Sequence, residues 1–70
     1  MNTVQYLSKT EYEKLKQNID FSDTELAIID FLRKGIYTDY AIANKLNLSD
    51  YQYKKLKSLA QLKIYQYASN

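Results

Sequence analysis

Seventy residues, 46% of them hydrophobic, make one domain near the lower size at which packing alone can hold a fold. The absence of Cys and His excludes a disulfide framework and an ordinary zinc site, and it removes the side chains that most often act as enzymic base or nucleophile. The net charge of +2 hides an asymmetry: residues 1–30 hold three lysines against six carboxylates, while residues 31–70 hold seven cations against two, which suits a polyanion partner for the second half.

The opening MNTVQY carries no helix start signal and reads as an arm, residues 1–6, ahead of a single domain. It has neither the basic stretch nor the apolar stretch of a secretion signal, and no hydrophobic run in the chain is long enough to span a bilayer. The expectation is a soluble cytoplasmic protein with no membrane association. The small size and the lack of Pro, Trp and His suit an origin in a low-GC bacterium or its phage.

A start signal comes first at Leu7 to Tyr12. Ser8 is a good N-cap, Glu11 closes a capping box three residues on, and Leu7 with Tyr12 is placed as a hydrophobic staple. This predicts a helix over 9–17 that buries Tyr12, Leu15 and Ile19. The signal recurs at Phe21 to Leu26, with Ser22 as cap, Glu25 closing the box and Phe21 and Leu26 as the staple. The second helix runs over 23–34, with Leu26, Ile29 and Leu32 on one face and Ala27, Ile28 and Phe31 widening it, so it is the central core helix. Gly35, the one glycine, follows Arg33 and Lys34 as a left-handed stop.

A third helix over 39–46 is capped by Thr38 and stapled by Tyr37 and Ile42, with Ala41 at the box position and small residues, Ala41 and Ala43, where another helix crosses closely. Asn47 takes the turn because Asn tolerates the left-handed conformation, and Leu48 plugs the turn into the core. Ser49 caps the fourth helix, Gln52 closes its box and Leu48 staples Tyr53. A stripe of Tyr53, Leu56, Leu59, Ala60, Ile64 and Tyr67 extends this helix over 50–67, with Leu62 and Tyr65 outside it. The segment KIYQY, 63–67, also alternates like a strand, but no second strand follows it, and helix is the reading taken.

The fold class predicted is therefore all-α, with four helices. Between Thr38 and Ser58 the spacing of Ile42, Ala43, Leu46, Asn47, Leu48, Tyr53 and Leu56 is that of a helix-turn-helix, whose second helix enters the major groove of DNA. Asp50, Tyr51, Gln52, Lys54, Lys55, Lys57 and Ser58 are left facing out. The candidate base readers are Tyr51, Gln52, Lys55 and Ser58. Gln52 suits adenine and Lys55 suits guanine, although Gln52 has an equal claim to the cap of its own helix. Thr38, Lys45, Lys54 and Lys57 are the candidate phosphate contacts. Asp50 reads as a partner of the helix dipole and not as a reader.

The stretch from Ser22 to Leu62 resembles the four-helix DNA-binding domains of LuxR-type (GerE-like) regulators and the related fourth region of sigma factors. The matching residues are Glu25, Leu26, Gly35, Ile42, Ala43, Leu46, Leu48 and Ser49, with Lys54 at a commonly basic position. The chain departs from that pattern at Gln52, Tyr53 and Leu56, so no DNA sequence preference carries over. The resemblance implies a regulator of transcription that binds double-stranded DNA and dimerises through its last helix, where Leu62, Tyr65 and Tyr67 are available. The eight tyrosines also support a different class, an adaptor that uses this fold to engage RNA polymerase, a repressor or a host enzyme. Neither class calls for a cofactor or a small-molecule substrate, and an enzyme is not expected.

Overall fold

The computed structural model describes residues 8–69. The arm at 1–6 and the staple residue Leu7 lie outside them. Among the described residues the protein is all-α, with four helices: α1 Lys9–Asn18, α2 Asp23–Lys34, α3 Asp39–Lys45 and α4 Asp50–Ala68. The alternating 63–67 segment is helical. At 19 residues, α4 is about 28 Å long, the longest rod in the structure.

Local chemistry sets where each helix begins. The hydroxyls of Ser8, Ser22, Thr38 and Ser49 accept the N–H of Glu11, Glu25, Ala41 and Gln52, each at 3.1 Å. Glu11, Glu25 and Gln52 return the bond to the cap N–H, closing three capping boxes; Ala41 has no such group, and α3 starts on the hydroxyl alone. Phe21, Tyr37 and Leu48, each just ahead of its cap, lie half-buried against the core.

Helix ends are as specific. Gly35 turns left-handed at φ 71° and donates its N–H to the Leu32 carbonyl. One residue earlier than expected, α3 stops at Lys45, because Asn47 goes left-handed at φ 56°. The Asn47 N–H then bonds the Asn44 carbonyl and the Leu48 N–H bonds the Ala43 carbonyl at 2.9 Å, a complete Schellman closure with Asn in the glycine position. That closure aims Leu48 inward and delivers Ser49 to cap α4.

The core is built from Tyr12 and Leu15 of α1, Ile28, Ile29 and Leu32 of α2, Ile42 and Ala43 of α3, and Tyr53, Ala60 and Ile64 of α4. α2 packs most extensively on α4, and α3 lies across the first half of α4. The inner stripe of α4 is narrower than its apolar spacing predicts. Leu59 is 42% exposed and Tyr67 41%, so neither belongs to the core as expected: Leu59 lies on the outer flank of α4, and Tyr67 borders an open groove between α4 and α1.

Two lysines of α4 fasten the bundle. Lys63 Nζ lies 2.8 Å from Glu25 Oε1, bonds the Asp20 carbonyl at 3.0 Å and sits over the Phe21 ring. Glu25 is 3% exposed. Burial alone would raise its carboxyl, but hydrogen bonds from Lys63 and from Ser22 outweigh burial and hold it below the usual range. On α1, burial raises the Tyr12 phenol, whose ring also carries the Arg33 guanidinium 5.0 Å from its centroid.

Candidate nucleic-acid interface

The corner where α3 meets α4 places most of the residues proposed for DNA contact on one outer surface. Behind that surface Ile42 and Tyr53 are fully buried, which fixes the first turns of α4 against α3. The Tyr53 hydroxyl, at the edge of the core, donates to Asp39 Oδ1 at 2.7 Å. Lys57 Nζ meets both oxygens of the same carboxylate, at 3.0 and 3.3 Å, and lies 5.9 Å from the Tyr53 ring centroid.

This three-residue network ties the first turn of α3 to the second turn of α4. The Tyr53 hydroxyl is the main reason the Asp39 carboxyl falls below its ordinary value, with Lys57 adding to it. Burial and the Asp39 acceptor together push the Tyr53 phenol well above its own. Spacing did not mark the network, since its members lie 14 and 18 residues apart and meet only when α3 crosses α4.

On the outer surface, Tyr51 is 75% exposed, and Lys54, Lys55 and Ser58 are exposed beside it. Lys55 is the one lysine of α4 with no ion-pair partner among the described residues. Lys54 pairs with Asp50 at 3.1 Å, Lys57 with Asp39 and Lys63 with Glu25. The Lys57 side chain is only 22% exposed, so it faces the corner and not the solvent as expected. On α3, Lys45 is exposed, with its ammonium 5.3 Å from the Tyr37 ring centroid.

Two assignments change in character. The Gln52 oxygen accepts the Ser49 N–H at 3.1 Å; the cap takes the acceptor that a bidentate contact to adenine would need. Thr38 likewise gives its hydroxyl to Ala41, and the Asp39 carboxylate beside it brings negative charge where a phosphate was expected.

The structure adds residues that spacing did not single out. Tyr40 is 81% exposed, and with Ala43, Asn44, Leu48 and Asp50 it lines a small cleft of about 100 Å³ across the turn. A solvent-facing tyrosine one residue into a short helix carries no periodic signal. At the other end of α4, Leu62 and Tyr65 are exposed, and Tyr67 borders a groove of about 300 Å³ with Glu11, Lys14, Leu15, Ile64 and Ala68.

No protein-family model, curated protein or solved structure matches this chain. Among the described residues no helix is long and apolar enough to cross a membrane, and no cluster of acidic side chains is placed to hold a metal ion.

Proposed function

We propose that the protein binds double-stranded DNA and regulates transcription in the cytoplasm, with α3 and α4 acting as a helix-turn-helix of the LuxR-like kind. The observation that carries this reading is the outer face of the first turns of α4, where Tyr51, Lys54, Lys55 and Ser58 stand exposed on a helix end locked against α3. An α-helix fits the major groove, and its N-terminal residues meet base edges. Lys55 is the first choice for a guanine contact, with Tyr51 and Ser58 flanking it. Lys45 and Lys54 are the phosphate contacts, and Lys57 adds its charge from the rim of the corner. A second copy docks through Leu62, Tyr65 and Tyr67, on the half of α4 that the reading surface leaves free.

A protein-binding adaptor is the second reading, and exposed aromatic residues favour it: Tyr40, Tyr51 and Tyr65 are all more than two-thirds exposed, the kind of side chain that anchors protein interfaces. Fluorescence anisotropy with random duplexes at two salt concentrations separates the two. A DNA binder loses affinity steeply with added salt, and Lys54→Ala combined with Lys55→Ala weakens it further. No binding at low salt would favour the adaptor.

A further inference from the structure

Resting on the DNA reading, we infer that the Asp50 and Lys54 pair reads a base-pair edge, and that its complement is a C·G pair. Asp50 opens α4 and Lys54 stands one turn further on the same face; Lys54 Nζ lies 3.1 Å from Asp50 Oδ2, and the side chains are 77% and 70% exposed. The pair is not saturated. Asp50 Oδ1 has no partner among the described residues, and the ammonium has three donors, of which the carboxylate takes one. The pair therefore offers one free acceptor beside two free donors.

A C·G pair offers the converse in the major groove: the cytosine N4 amino donor, then guanine O6 and N7 as adjacent acceptors. The carboxylate takes the cytosine amine and both remaining ammonium donors find acceptors on guanine, which moves Lys54 from a phosphate contact to a base contact and leaves the phosphate role to Lys45. An A·T pair fits less well. It sets the adenine amine between its two acceptors and ends in the thymine methyl, so the ammonium meets one acceptor at most beside the occupied amine.

Gln52, the neighbour with the obvious amide, has its oxygen held by the cap and does not compete for this role. The cleft lined by Tyr40, Ala43, Asn44 and Leu48 leaves space on the α3 side of Asp50. A carboxylate at this position repels phosphates and lowers affinity for every duplex. Its contribution is selectivity.

The test compares the full chain with its Asp50→Asn, Asp50→Ala and Lys54→Ala variants on a random duplex pool. The duplexes recovered are then titrated by anisotropy, with C·G exchanged for A·T one position at a time. Circular dichroism checks that each variant stays helical. The full chain should favour C·G at one position by about tenfold. Both Asp50 variants should lose that preference while binding unselected duplex as tightly as the full chain or more tightly. If the Asp50 variants keep the preference and merely bind every duplex better, Asp50 is only a dipole partner; the inference then fails while the DNA reading stands. If the full chain binds no duplex at low salt, the DNA reading falls and takes the inference with it.

Discussion

Lys57 and Lys63 stand six residues apart on α4, and each holds a carboxylate of an earlier helix, but in opposite surroundings. Lys63 reaches the buried Glu25, which also closes the cap of α2. Lys57 reaches Asp39, whose side chain is 55% exposed at the edge of the corner. The contrast divides α4 by chemistry. Its C-terminal cation is committed to a buried carboxylate, whereas Lys57 serves a half-exposed one and Lys54 and Lys55 face solvent. A lysine count alone treats the two halves alike.

The largest expected effect is at the buried pair. Lys63→Met keeps an apolar stem over Phe21 but leaves Glu25 without its cation, and Glu25 Oε2 already lacks a partner among the described residues. Breaking a buried pair of this kind costs about 2–3 kcal/mol, at the low end because the Lys63 side chain is 35% exposed. Urea unfolding would show it as a lowered midpoint.

Acid acts on both carboxylates together. Glu25 and Asp39 sit below their ordinary values of 4.5 and 3.8, so the stability they add is fully present above those values and is lost as pH falls through their lowered folded values. Urea midpoints should therefore be flat near neutrality and decline in acid, with a smaller decline in Glu25→Gln.

Tyr53→Phe keeps the buried ring and removes the hydroxyl that bonds Asp39, a loss of about 1 kcal/mol. Because Asp39 ties α3 to α4, DNA affinity should fall with it while helix content by circular dichroism does not change. Lys57→Ala should have the smallest effect on stability, about 0.5 kcal/mol, since the carboxylate it leaves is 55% exposed and keeps the Tyr53 hydrogen bond. A loss equal to that of Lys63→Met would erase the proposed division of α4.

Helix starts were legible in the sequence because caps are local. Ser22 with Glu25 and Ser49 with Gln52 each settle a boundary within four residues, and the structure uses both pairs. The turn was legible for the same reason, through Asn47 and Leu48. Burial along α4 was less so: periodicity gives the direction of a face but not how far a neighbour covers it, and Leu59 and Tyr67 lie past that cover. The lysine partners were not legible at all. Lys63 and Glu25 are 38 residues apart, and only the packing of α4 on α2 brings them together. In the candidate site, the exposure of Tyr51, Lys54, Lys55 and Ser58 followed from helical phase, while the inward turn of Lys57 needed Asp39.

The most direct test of the division of α4 is a two-dimensional amide NMR titration of the protein with a short duplex at low salt. The account predicts shift changes over residues 39–58, strongest at Tyr51, Lys54 and Lys55, with little change at Tyr12, Leu15 or Glu25. Shifts concentrated in the groove between α1 and the end of α4, or none at all, would contradict it.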